Sequence, residues 1–364
     1  MVILLLAAIS CSRVEPVNSN GQDVILDWPG FIWFDSEVKT KTTAIENNLN
    51  GKSFNVIAFK YSSDWATFKA TGTPASAMGT EGFGFPTTVS CDNAGVCDYV
   101  GYDNTTGNNI LTPVEWEGTM KYSFFAYYPV ATTSTARPVS LETTSSTAGV
   151  PAIKYTVPAA ESDGYMDATK VPDVMTAYTT DAQNRGGAGV VSLNFKHRLC
   201  LFCVEARNLK KDDATISELI LTIESKRYGA VTIPLDGSPL QLSSSDIIED
   251  NFKCRMQPTS GTGASVTVPQ FGKDGTSSNT LVSYPNNHIA FIPQDPTVIG
   301  EILSGKLSFK WDGVDKEQEF SSTKVFKEGT KYAFVITIAS NDAISIDIRE
   351  SDEWIEMPND IIFE

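Results

Sequence analysis

At 364 residues the chain can hold two domains of ordinary size, and a composition 41% hydrophobic and 20% charged is that of a globular protein rather than a disordered one. It carries 28 basic against 44 acidic residues, a formal net charge of −16. That balance argues against nucleic acid and against electrostatic docking on anionic lipid, since both need basic patches.

Val2–Ile9 (VILLLAAI) is the one membrane-active stretch. It is far short of the roughly 20 apolar residues that span a bilayer, and its length suits the apolar region of an export signal. Ser12–Gln22 is a polar tether. Asp23–Asp35 (DVILDWPGFIWFD) is an apolar β-type segment broken by Pro29-Gly30, and a Thr/Lys run, Val38–Thr43, follows it. Phe54–Tyr61 (FNVIAFKY) is apolar on both faces, as a buried strand would be. Thr71–Pro86 is a Gly/Thr/Pro-rich loop.

Thr87–Tyr102 reads as a hairpin whose tip, Asp92–Gly95, is flanked by Cys91 and Cys97. In an oxidising compartment this pair could close a small disulfide loop or stay as two free thiols, and the sequence leaves both open. Met120–Tyr128 (MKYSFFAYY) is an aromatic strand, Thr132–Thr147 a Ser/Thr-rich surface loop, and Pro172–Thr180 closes the first half.

After the Gly-dense linker Asn184–Gly189 comes a long alternation, Val190–Arg207. It puts Val191, Leu193, Phe195, His197, Leu199, Leu201 and Cys203 on one face and Ser192, Asn194, Lys196 and Arg198 on the other. It reads as one strand opening the second half. Further strands are expected at Ile216–Glu224, Ala230–Leu235, Val266–Phe271, His288–Ile292, Lys306–Trp311, Thr330–Ile338 and Ala343–Ile348. Lys226–Gly229 and Lys327–Gly329 are expected turns. Many short strands punctuated by 26 Gly and 18 Pro indicate an all-β protein built of sandwiches.

No catalytic constellation emerges. The chain has no H-E-x-x-H, G-x-S-x-G, P-loop or G-x-G-x-x-G motif. His197, on an apolar face, reads as a hydrogen-bonded core histidine, and His288 opens a strand at a loop edge beside Asn286 and Asn287. Cys200 and Cys203 fall on opposite faces of a strand and read as small core residues. The expectation is a protein that is not an enzyme and has no metal or cofactor.

Several segments together carry a family resemblance. Ala8-Ile9-Ser10-Cys11 resembles the lipobox of bacterial lipoproteins, in which the Cys is acylated, so Cys11 is the candidate lipidation site. The Thr/Lys run followed by FNVIAF, then EWEGTMKYSFFAYYP, LNFKHRL, AFIPQ, EGTKYAFVITI and the Ile348–Trp354 segment resemble, in order, the fimbrillin-like (type V pilus) lipoproteins of Bacteroidales. The resemblance implies two transthyretin-like β-sandwich domains in tandem. On that basis residues 1–11 are a lipoprotein signal, 23–183 an N-terminal sandwich, and 188–364 a C-terminal sandwich with a donor-strand-like tail.

The resemblance also implies an outer-membrane, cell-surface location in a fimbrium, and partners that are other fimbrial subunits, host or bacterial surface proteins, or glycans. Membrane contact would be through the lipid anchor alone. Stalk subunits of that family lose an N-terminal strand by cleavage at an Arg, and the vacated groove accepts the next subunit's C-terminal strand. Here no Arg lies between Arg13 and Arg137, so either a Lys-cutting or relaxed protease acts, with Lys39 and Lys41 the candidate processing points, or the protein is an uncleaved anchor or accessory subunit. Ile355, Met357, Ile361, Ile362 and Phe363 of the tail Trp354–Glu364 are the candidate donor-strand plugs. The alternative is a glycan-binding surface lipoprotein that does not polymerise and presents exposed aromatics.

Overall fold

A strand apolar on both faces needs two cores, and Ser53–Tyr61 has them. Phe54, Val56 and Ala58 point into one cluster, and Ile57, Phe59 and Tyr61 point into another. The neighbouring strand Lys121–Tyr128 divides the same way, with Tyr122, Phe124 and Ala126 on one side and Phe125 and Tyr127 on the other. In the computed structural model the described residues are 32–38, 49–71, 87–93, 97–99, 101–103, 108–110, 116–130, 139–142, 150–168, 171–183, 190–257, 261, 264–271, 279–280 and 288–351. Over these the protein is nearly all β.

The two strands form the middle of a seven-stranded sheet. Its order is Trp33–Val38, Val190–His197, Met175–Ala182, Lys121–Tyr128, Ser53–Tyr61, Thr87–Cys91, Cys97–Tyr99. All neighbours are antiparallel except the first pair, which is parallel. One helix, Trp65–Thr71, lies against the Phe59 face, where the Phe68 ring stacks on Tyr61 with centroids 4.9 Å apart. Asp64 caps it, its Oδ1 accepting from the Thr67 amide at 2.7 Å.

The second half is a pair of facing sheets. Cys200–Asn208 runs parallel to Lys331–Ile338, which pairs with Ile344–Ser351. Opposite lies the sheet ordered Met166–Asp167, Phe252–Arg255, Ala214–Ile223, Leu303–Trp311, Val314–Ser322. Phe202, Phe334, Leu221, Phe309 and Trp311 fill the space between. The same apolar cluster runs without a break to Phe59 and Phe125 of the first half.

Several expectations change. The alternation Val190–Arg207 is not one strand: it breaks at Arg198-Leu199 into Val190–His197 and Cys200–Asn208, which belong to different sheets. At the break the Arg198 amide donates to Val174 O at 2.8 Å and the Gly329 amide to Leu199 O at 2.8 Å, so each residue is already tied to a different neighbour. Arg198, placed by alternation on the polar face, is buried.

The boundary between residues 183 and 188 also falls inside one sheet, because Val190–His197 pairs with strands on the N-terminal side of it. In return, Ala152–Thr156 pairs with Ala230–Pro234, and Met166–Asp167 with Phe252–Arg255. The halves are interleaved. His288 opens the strand His288–Phe291, as expected, but is buried opposite Cys203 rather than lying at a loop edge.

A candidate assembly edge at the N-terminal strand

The strand Trp33–Val38 sits at one margin of the seven-stranded sheet. It pairs in parallel with Val190–His197, Trp33 opposite Val190 through Val38 opposite Phe195. The apolar signal read in Asp23–Asp35 supplies its anchors: Ile32 is 0% and Phe34 5% exposed. The Phe34 ring meets Phe124 edge-on at 5.5 Å, in the core that also holds Phe54, Val191, Leu193 and Phe195.

The inner side of Val190–His197 is weakly held. Its registered pairs with Met175–Ala182 are Met175 with His197 and Thr176 with Lys196, both at one end. Further along, the Thr179 hydroxyl donates to Ser192 O at 2.9 Å. Met175–Ala182 itself shifts register between Thr179 and Ala182, where Asp181 takes a left-handed φ of 56°. From Val190 to Phe195, therefore, backbone pairing comes chiefly from Trp33–Val38. Parallel pairing at a sheet edge is among the less stable kinds, and an uncovered edge is a template for another strand.

The opposite margin of the sheet, Cys97–Tyr99, comes back alongside Trp33–Val38. Cys91 and Cys97 are joined by a disulfide, S–S 2.01 Å, and both face the core that holds Phe34. The hairpin is pinned to the turn before Ser53–Tyr61. The Gly51 amide donates to Asp92 O at 2.9 Å and the Cys91 amide to Lys52 O at 2.8 Å.

Lys39 and Lys41 follow directly on Val38 and lie outside the described residues. So do Cys11 and the plug candidates Ile355, Met357, Ile361, Ile362 and Phe363.

Elsewhere both histidines and the free cysteines Cys200, Cys203 and Cys254 are buried. His197 Nδ1 lies 2.7 Å from Asp173 Oδ2, with both side chains buried. Burial drives the His288 imidazole down to about 3, with Lys331 adding to the effect, so it stays neutral. Burial likewise raises the Cys203 thiol to about 12 and pushes Cys200 and Cys254 up, away from the reactive thiolate. Among the described residues no group of three or more His, Cys, Asp or Glu could hold a metal ion, and no helix is long and apolar enough to cross a membrane. Trp65 and Trp311 are buried, and Trp116 packs edge-on against Tyr122 at 5.0 Å. Tyr178 is exposed.

Two arginines carry more than the sequence suggested. Buried Arg198 donates through Nη1 to Thr176 Oγ1 and Pro234 O, both at 3.1 Å, and through Nη2 to Ser238 O at 2.6 Å. Its Nε reaches Glu328 at 3.3 Å, so one side chain ties the first sheet to two separate parts of the second half. A cation standing inside an apolar alternation was its only signal. Arg227 was placed in a turn and is buried as well.

Over the described residues the chain is thus nearly all β, with a parallel strand at one sheet margin. The sequence profile of fimbrillin-like proteins matches residues 76–351, and the chain belongs to that family. Its fold is similar to that of a fimbrial protein from Bacteroides vulgatus, at TM-score 0.61 and 19% identity, over 89% of this chain and 99% of that one. It is also similar to a protein from Bacteroides ovatus described as a candidate cell adhesion protein, at TM-score 0.50 and 13% identity, over 90% of this chain and 98% of that one. A comparison with curated proteins finds no match.

Proposed function

We propose that this protein is a structural and adhesive fimbrial subunit, not an enzyme, exported as a lipoprotein through Cys11 and displayed on the outer membrane. It joins its neighbours by strand addition at the margin occupied by Trp33–Val38. The observation that carries this reading is the dependence of Val190–Phe195 on that one edge strand for its backbone pairing. A cut after Lys39 or Lys41 would sever the strand from the rest of the chain while leaving its groove in place. The tail Trp354–Glu364 of another subunit, with Ile355, Met357, Ile361, Ile362 and Phe363 as candidate plugs, has the apolar character to refill it.

The test is limited digestion of the full chain with a Lys-specific protease, followed by addition of a peptide of sequence Trp354–Glu364. The expected result is loss of the N-terminal fragment only in exchange for the peptide, and denaturant-resistant multimers when intact tails are present. A cut protein that neither binds the peptide nor multimerises would overturn strand addition. Intact mass of the native protein, starting at acylated Cys11 or after Lys39 or Lys41, would tell an anchor from a polymerising subunit.

A further inference from the structure

Away from the sheet margin, a cavity of about 320 Å³ opens where the chain after Ala152–Thr156 meets the short ladder Arg227–Tyr228/Ile247–Ile248 and the strand Phe252–Arg255. Arg227 lines it. Its side chain is only 4% exposed, and its guanidinium lies over the Phe252 ring, 5.0 Å from the centroid. Nη2 donates to Asp250 Oδ1 at 2.9 Å. Nε and Nη1 have no acceptor among the described residues, nor has the buried hydroxyl of Tyr155, which feels the same cation.

A buried guanidinium ordinarily holds its carboxylate in a matched, equally buried pair. Here the one described carboxylate partner, Asp250, is 71% exposed, so its bond competes with water and with any other anion that enters. Burial also pushes the guanidinium pKa down, the sign of a cation short of compensating charge. Of the remaining walls, Phe252, Met166 and Val157 are apolar, Ser245, Asp246 and Asn251 offer hydrogen-bonding groups, and Lys253 adds a second cation. Asp246 is itself held by Lys154 at 3.0 Å, which leaves its second oxygen to accept.

We infer that this cavity is a binding site for an acidic sugar residue, a carboxylate-bearing pyranose whose carboxylate takes the place of Asp250 on Arg227. The ring would lie against Phe252 and Met166, and its hydroxyls would meet Asp246, Ser245 and Asn251. The volume, at the small end of ligand sites of roughly 300–1,000 Å³, admits one sugar ring with its substituents rather than a long chain. The net charge of −16 opposes an anion at long range, and at physiological salt that repulsion is screened beyond about 8 Å. A single site is therefore weak, and useful avidity would come from many copies on one surface.

The test is titration of the full-length protein with D-glucuronate, with D-glucose and acetate as controls, for the native chain and for Asp250→Asn and Arg227→Gln. Glucuronate is expected to bind saturably with a Kd on the order of 1 mM, at least about tenfold more tightly than either control. Because Asp250 is the internal competitor, Asp250→Asn should tighten glucuronate binding by about two- to fivefold, the range of an exposed ion pair. Arg227→Gln should abolish binding. Since Arg227 is buried and its variant could fail to fold, the exposed Asp250→Asn variant decides the matter. Equal binding of glucose or acetate, no saturation by about 10 mM glucuronate, or an unchanged or weakened affinity in Asp250→Asn would each overturn the proposal. None of these outcomes depends on whether subunits polymerise.

Discussion

Truncating Phe34 should loosen the edge strand before it unfolds the protein. The side chain is 5% exposed and packs edge-on against Phe124 at 5.5 Å, so Phe34→Ala removes about 3–5 kcal/mol of packing. Where that loss is felt depends on whether the strand can leave alone. Phe34 belongs to a segment with one ladder partner, Val190–His197, and its neighbours in the chain end at Val38 before the next described residue at Leu49. If detachment is a local opening, the whole loss falls on it. Exchange of the Val190–Phe195 amides that face the strand should then accelerate about a hundredfold to several-thousandfold, at 1.36 kcal/mol per factor of ten.

The global unfolding midpoint in urea would fall by less than the full amount, because the remaining sheet can stay folded with the strand off. Phe195→Ala is the control: Phe195 is fully buried, 5.0 Å from the Phe54 ring, and lies on the inner strand, so its cost of about 3–5 kcal/mol should appear in global stability. The measurement is amide exchange resolved by residue, paired with urea denaturation. If Phe34→Ala lowered the midpoint as much as Phe195→Ala and left the facing amides no faster than the rest of the core, the strand would be an integral part of the fold. The edge would then not be replaceable.

Arg198→Ala should cost about 3–5 kcal/mol in urea denaturation, since it leaves Pro234 O and Ser238 O without their donor, and Arg198→Lys should rescue little because an ammonium cannot span those acceptors. A loss below about 1 kcal/mol would show that water replaces the guanidinium there. His288 stays neutral in the folded protein down to about pH 3, while in the unfolded chain it charges below about 6.5. The unfolded state thus binds the extra proton, and stability should fall as pH drops through this window, by about 2 kcal/mol between pH 6.5 and 5. His288→Leu should flatten that part of the pH profile, and an unchanged slope would remove His288 as its source. Cys200, Cys203 and Cys254, buried with raised thiol pKa values, should resist Ellman's reagent in the native protein and react in urea, as read by peptide mass mapping. Rapid native labelling at any of the three would mean that its cover opens.

The strands most legible in the sequence were those whose two faces are both buried. Phe54–Tyr61, Met120–Tyr128 and Thr330–Ile338 carry their own signal because few polar residues interrupt them. Val314–Ser322 went unseen for the opposite reason: at the margin of its sheet only Phe320 and Ser322 are buried, so VDKEQEFSS looks like a loop. Gly229 misled in another way. It reads as turn chemistry, yet a Cβ there would stand 2.7 Å from Ile248 Cδ1, so the glycine serves the close approach of the Ile248 side chain. The break at Arg198 was hidden because alternation continues across it: the residues on either side are apolar for different cores, and periodicity cannot register a change of sheet.

That change of sheet bears on how an edge can lose a strand without collapsing. Val190–His197 has little backbone support on its inner side, so vacating the edge ought to let it fray from the Val190 end. Its other end is fixed. Met175 and Thr176 pair with His197 and Lys196, Asp173 lies against His197, and Arg198 is tied to Thr176, Pro234 and Ser238. Two residues on, Cys200–Asn208 enters a parallel ladder eight pairs long with Lys331–Ile338. The strand is thus anchored rigidly at its C-terminal end and dependent on an edge partner over the rest of its length. A parallel segment arriving at that margin would find its register set by the anchored end and its affinity set by the apolar pockets that Ile32 and Phe34 now fill.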